Sequence, residues 1–188
     1  MNMNDRRVKK TKKALQLALA ELILSKELRN ITVQELADKA DIHRATFYSH
    51  YHDVYDLYEQ LENDVITELD SLIIGNSTHD YKNTYKAIID YLYANPTLSR
   101  LLFSDNSGSP QFKKYVCNLI EKKYLDIWIY EEPNTTITDD MRYIITYHIQ
   151  GLTALIGKWV NSNFSYSKEK MIMFLEILDT NIERVMDN

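Results

Sequence analysis

The sequence predicts an all-α protein of about nine helices, with a three-helix N-terminal head and a larger helical body. Three observations predict it. Apolar residues recur at i, i+3, i+4 and i+7 through most of the chain, the period of a helix with one buried face. Only 4 glycines and 3 prolines occur in 188 residues, which fits a chain with few tight turns. The prolines, Pro96, Pro110 and Pro133, all fall between periodic segments and not inside them.

The first helix spans about 8–25, with Leu15, Ala18, Leu19 and Leu22 as its buried stripe. Arg6, Arg7, Lys9, Lys10, Lys12 and Lys13 sit in its first turns or just ahead of them. Cations there oppose the helix dipole, a penalty that a nearby phosphate offsets. Thr32 and Glu35 form a T-x-x-E capping box that starts a second helix at Val33, with Val33, Leu36, Ala37 and Ala40 on one face. Asp41 marks the turn. A short third helix follows over about 43–50. Two short helices joined by a tight turn make a helix-turn-helix, whose second helix can lie in the major groove of DNA. A fourth helix runs from the cap Asp53 to about residue 74, where Gly75-Asn76-Ser77 ends it. The remaining helices are expected at 81–94, 96–104, 110–130, 139–161 and 167–186. Asn95-Pro96 and Ser109-Pro110 read as N-cap followed by first helical residue, Thr138-Asp139-Asp140 as a cap, and Ser167 as the start of the last helix.

Thr32-Val33, Leu36-Ala37, Ala40-Asp41-Ile42-His43, Thr46-Phe47-Tyr48, His50-Tyr51 and Leu57 stand at the spacing of a known pattern. The segment resembles the DNA-binding domain of the tetracycline-repressor (TetR) family of transcriptional regulators, over about residues 8–60. It departs from that pattern at three places. Asp41 replaces the usual turn glycine, a mild change because Asp tolerates the left-handed conformation. His43 replaces the usual serine and is expected to cap less well. Val54 stands where family members often carry a phosphate-contacting lysine. The resemblance implies a homodimer with a four-helix interface, double-stranded DNA as partner and a small-molecule effector.

Charge is divided along the chain. Residues 1–52 hold 10 Lys and Arg against 6 Asp and Glu, a net of +4, while residues 53–188 hold 12 against 21, a net of −9. A basic head on an acidic body fits a nucleic-acid reader, and the division suggests domains at 1–52 and 53–188. At the start of the recognition helix, Arg44 can pair bidentately with guanine, and Ala45 and the Thr46 methyl can contact a thymine methyl. Tyr48, Ser49 and His50 are placed to touch phosphates or base edges, and Thr32 puts a hydroxyl and free backbone N–H groups near a phosphate. The plainer reading of Arg44 is a solvated charge, and of Tyr48 a core aromatic. Phe47 and Tyr51 read as core.

In the body, 14 tyrosines in the whole chain leave a surplus of aromatic hydroxyls. A cavity walled by Tyr85, Phe103, Tyr124, Trp128, Tyr147 and His148 would suit a small, partly aromatic effector; ordinary core packing is the rival explanation. In 139–161, Tyr147, Gly151, Ala154 and Lys158 share one face, and Ile144, Ile145, Leu152, Leu155 and Trp159 another, so more than one neighbour is expected. Gly151 and Gly157 each cost about 1 kcal/mol relative to Ala inside a helix and suit close backbone approach. Met171, Leu175, Leu178, Ile182 and Val185 form a 4-3-4-3 seam. Both helices could pack only within one chain, but the family resemblance implies that they form the four-helix dimer interface. A single cysteine, Cys117, and no apolar run of 18 residues point to a cytoplasmic protein off the membrane. No glycine-rich phosphate loop, nucleophile elbow or H-E-x-x-H is present, so no enzyme is expected. His50 and His52 diverge by about 200° on a helix and cannot chelate there, so neither metal nor cofactor is expected.

Overall fold

The structure is a computed structural model and describes residues 3–74, 81–103, 110–134 and 136–186. Among these residues every regular element is helical: α1 (Met3–Ile23), a 3-10 turn (Leu28–Asn30), α2 (Val33–Lys39), α3 (Arg44–Tyr48), α4 (Val54–Ile73), α5 (Tyr81–Ala94), α6 (Pro96–Phe103), α7 (Pro110–Glu131), α8 (Asp139–Asn161) and α9 (Lys168–Met186). The all-α, nine-helix expectation holds for these residues. Helix α1 starts earlier than its apolar stripe suggested, so Arg6–Lys13 lie within it. The stop at Gly75-Asn76-Ser77 and the cap at Ser109 lie outside the described residues. No helix among those described is long and apolar enough to cross a membrane.

The chain divides into two compact units, Met1–Val65 with Thr97–Ser109, and Ile66–Pro96 with Pro110–Asn188. In the first, α1 packs on α2 and α2 on α3. The 7 residues of α2 and the 5 of α3 are too few to be helical alone in water. They hold because Leu36, Ala37 and Phe47 are buried with Leu15, Leu19, Tyr51, Val54 and Leu57. Lys12 lays its ammonium over the Tyr51 ring, 5.7 Å from the centroid.

In the second unit α5 packs along α9, α7 along α8, and α8 beside α9. Lys168 binds Asp90 at 2.6 Å between α9 and α5, and Lys86 reaches the same carboxylate at 2.7 Å; these bonds hold the Asp90 carboxyl below its ordinary range. Helix α8 ends in two left-handed residues, Asn163 (φ 58°) and Phe164 (φ 57°), with the Phe164 N–H returning to the Trp159 carbonyl at 3.0 Å. The conformation costs a residue with a side chain about 1–2 kcal/mol. Aromatic packing offsets it: the Phe164 ring meets buried Trp159 edge-on at 4.8 Å and Tyr93 at 5.5 Å. The Trp159 indole N–H donates to the Tyr166 carbonyl at 2.9 Å, closing the turn into α9.

The single seam expected on the last helix is divided between two faces. Met171 and Leu175 point into their own unit, whereas Met173, Phe174, Ile177 and Leu178 form an exposed stripe. The side chains of Ile182 and Val185 lie outside the described residues. On α8, Ile145, Leu152, Trp159 and Gly157 are buried, while Tyr143 and Tyr147 are 77% and 81% exposed beside Gly151, Ala154 and Lys158. Gly157 thus belongs to the unit's own packing. A Cβ built at Gly151 meets nothing within 4 Å. Trp159→Ala, which empties the aromatic corner, should cost about 3–5 kcal/mol in urea unfolding of the second unit. A loss under about 1 kcal/mol would mean that this corner does not hold α8 to α9.

Candidate functional site

The head is assembled from hydrogen bonds that its short helices need. The Thr32 hydroxyl accepts from the Glu35 N–H at 3.2 Å, and the Thr32 N–H donates to Glu35 Oε2 at 2.9 Å, completing the capping box. Lys26 pairs with the other oxygen of the same carboxylate. The Lys26 bond, then the backbone and hydroxyl bonds from Thr32, hold Glu35 down at about 2. Asp41 takes the left-handed turn position with φ 53°, and the Ile42 N–H returns to the Ala37 carbonyl at 3.0 Å. His43 caps α3: its Nδ1 accepts from the Ala45 N–H at 3.2 Å. An imidazole nitrogen thus takes the role of the usual serine oxygen.

Regular helix then spans only Arg44–Tyr48, with Ser49 as C-cap donating its hydroxyl to the Thr46 carbonyl at 2.7 Å. The backbone continues to turn, so His50 and Tyr51 both bond to the Phe47 carbonyl, at 2.9 and 3.0 Å. Phe47 and Tyr51 are buried; the Tyr51 phenol, pushed up to about 12 by burial and then by Asp64 and Asp56, stays neutral. Arg44, Ala45, Tyr48 and Ser49 are exposed, Thr46 and His50 partly so, and Thr32 is exposed at the start of α2. All seven candidates are therefore accessible, on one short helix, its exit and the adjoining helix start. Arg44 lies on Tyr48, with Nη2 donating to the phenolic oxygen at 3.1 Å and the guanidinium 5.4 Å from the ring centroid.

The six body candidates do not share one wall. Tyr85 of α5, Tyr124 of α7 and His148 of α8 come together, joined by Asp179 of α9, and all four are buried. Asp179 Oδ1 accepts from Tyr85 at 2.8 Å and from Tyr124 at 2.6 Å, and lies 3.1 Å from His148 Nε2. The Tyr124 hydroxyl is also 2.7 Å from His148 Nε2 and bonds with the Tyr85 hydroxyl. Burial, then the charge fields of Tyr85 and Asp179, push the Tyr124 phenol far above its ordinary range, so it remains a donor. Phe103 belongs to the first unit, Trp128 is half-buried, and Tyr147 points outward. Separately, an open groove of about 610 Å3 lies where Thr67, Asp70 and Ser71 of α4 face Tyr115, Asn118 and Lys122 of α7. Tyr115 donates to Asp70 at 2.7 Å across it.

Residues 79–181 match a TetR-type family model described as the transcriptional regulator C-terminal region. The chain belongs to the TetR family of transcriptional regulators. It is 30% identical over 126 residues to YxbF, an uncharacterised HTH-type transcriptional regulator of Bacillus subtilis (strain 168), a match spanning 64% of this chain and 33% of that protein. The chain thus aligns with about a third of the length of that curated relative. The fold is similar to that of the dihydroxyacetone kinase operon activator DhaS, at TM-score 0.64 and 22% identity over 92% of this chain and 96% of that one. It is also similar to that of a TetR transcriptional regulator from Streptococcus agalactiae 2603V, at TM-score 0.61 and 23% identity over 93% of this chain and 97% of that one.

Within this TetR-family chain, Val54 fills the position of the frequent lysine and is buried in the first unit. Sequence reasoning missed Asp179. Its signal was present: Asp179 lies four residues beyond Leu175 and eight beyond Met171, an acid on the buried face of an apolar helix. The lowered Glu35 carboxyl has a consequence for acid stability. A depressed carboxylate contributes stability that is present above its ordinary range near about 4.3 and lost as pH falls through about 2. The Glu35 carboxyl resonance should therefore titrate near 2, and return toward the ordinary range in a Lys26→Ala, Thr32→Ala chain. A wild-type midpoint in the ordinary range would show that the box is open in solution.

Proposed function

We propose that this regulator is a homodimer that reads a pseudo-palindromic operator through α3 and represses the genes beside it, releasing when a small molecule binds its body. The carrying observation is the surface of α3 and its exit: Arg44, Ala45, Tyr48 and Ser49 are exposed, Thr46 and His50 partly so, while Phe47 alone of that helix is buried. Arg44 would read a guanine, Ala45 and Thr46 a thymine methyl, and the Thr32 end of α2 a phosphate. On this reading residues 1–52 act as the DNA-binding domain and 53–188 as the effector and dimerisation domain.

The dimer is supported by the exposed Tyr143-Tyr147-Gly151-Ala154 face of α8 and the Met173-Phe174-Ile177-Leu178 stripe of α9, adjacent helices of one unit. Open space around Gly151 gives no reason within the chain for a helix-weakening residue. Close approach of a second copy supplies one. A two-fold pair would place two recognition helices against half-sites about 34–36 Å apart, and an effector that alters that spacing would lower affinity. The groove between α4 and α7 and the Tyr85–Tyr124–His148–Asp179 cluster are two places among the described residues where a ligand could act on the body. A second reading, a co-regulator working through a protein partner, is favoured by buried Val54, which removes one phosphate contact from the head.

Footprinting of purified protein on the DNA flanking its own gene tests the first reading. It should protect a two-fold-related site, and Arg44→Ala should weaken that site by about 1–3 kcal/mol. No protection without an added protein would favour the co-regulator. Gly151→Leu should leave the helical circular dichroism intact, because its Cβ enters open space, yet convert the dimer to monomer in sedimentation equilibrium. An unchanged dimer would move the interface off this face of α8.

A further inference from the structure

Arg44 is the long, exposed cation at the start of α3, and it is already committed to a neighbour. Residues four apart on a helix lie on one face, and Tyr48 sits one turn on. The guanidinium rests 5.4 Å from the Tyr48 ring centroid while Nη2 donates to the phenolic oxygen at 3.1 Å. Tyr48 is itself anchored: its ring meets Phe47 edge-on, centroids 5.5 Å apart at 87°, and Phe47 is fully buried. Rigidity thus passes from the core through Phe47 and Tyr48 to Arg44. Arg44 takes part in no ion pair among the described residues.

A guanidinium has two edges that can each give a bidentate bond, and both use Nη2. Nη2 carries two hydrogens, one on each edge. A bond from one of them to Tyr48 occupies one edge and leaves the other complete. That remaining edge matches the paired acceptors O6 and N7 of guanine. An unsupported arginine would lose its rotamer freedom on binding; one already stacked and hydrogen-bonded has lost much of it beforehand. The phenolic oxygen is the acceptor in this bond.

We propose that Tyr48 is a positioning residue, an aromatic shelf that holds Arg44 with one edge presented to a guanine, so that base preference at that position depends on Tyr48. The inference rests on the DNA-reading role proposed above. It assigns Tyr48 to specificity, where a phosphate contact would add affinity on every sequence.

The test uses the full chain and a pool of duplexes randomised over about two helical turns. Wild-type protein should enrich sequences with a guanine at one fixed position per half-site, preferred over adenine by about fivefold to 150-fold on purified duplexes. Arg44→Ala should erase that preference, and Arg44→Lys, which keeps the charge without the fork, should erase most of it. Tyr48→Phe keeps the ring and loses the hydrogen bond; the preference should fall about two- to tenfold. Tyr48→Leu should lower it a further two- to fivefold or so. Both should weaken binding to the guanine duplex more than to the adenine-substituted one. Tyr48 is 48% exposed, and the conservative Phe variant retains its contact with Phe47, so loss of fold is not the readout. Full guanine preference in Tyr48→Leu would overturn the shelf and leave the DNA-reading role standing. Equal weakening on both duplexes would make Tyr48 a phosphate contact and also overturn it. Failure of the wild-type chain to enrich any sequence would remove the reading and the shelf together.

Discussion

The head depends on one constraint: two helices of 7 and 5 residues must be helical although neither has the length to be so alone. Each is started by a side chain, Thr32 with Glu35 for α2 and His43 for α3, and each is held by a few buried residues. The division of labour follows directly. A helix that gives the core only Phe47 leaves Arg44, Ala45 and Tyr48 exposed, and on the proposed reading these are the side chains that would meet DNA.

The body solves the opposite problem. Its helices are long, and α8 and α9 are apolar on more than one side. Facing inward, they close around a buried carboxylate, Asp179, satisfied by two phenols and an imidazole from three other helices. Removing one member takes a hydrogen-bond partner from the others in a low-dielectric interior, where an unmade bond costs most. The cluster ties α5, α7, α8 and α9 together, so a ligand that rearranged it would move all four. Facing outward, the same helices show an apolar surface that a second copy would cover.

Much of the head was legible in the sequence because its signals are local. A T-x-x-E box, an Asp at a turn and a four-residue apolar spacing each act over a few residues, and Thr32–Glu35, Asp41 and the Leu36-Ala37 face appear where expected. The atom that caps α3 was not legible, because propensity ranks residue types, whereas geometry brings one particular nitrogen of His43 to the Ala45 N–H. Body helices were legible as elements but not as faces. A 4-3-4-3 reading selects one stripe, and α9 has two: Leu175 turns inward and Leu178, three residues on, is 42% exposed. Assigning Gly151 to the outside and Gly157 to the inside likewise needs the rotation of α8 about its axis, which only its neighbours set. Asp179 escaped because an acid on an apolar face reads as an interruption until its partners, on three other helices, are seen.

The central claim is that two copies, joined by the outer faces of α8 and α9, bring two copies of α3 to one duplex. Sedimentation equilibrium of the full chain with a labelled duplex carrying the protected site measures it most directly. The account predicts a saturated complex with two protomers per duplex, formed from a protein that is already dimeric when free. A saturated complex with one protomer per duplex would contradict it.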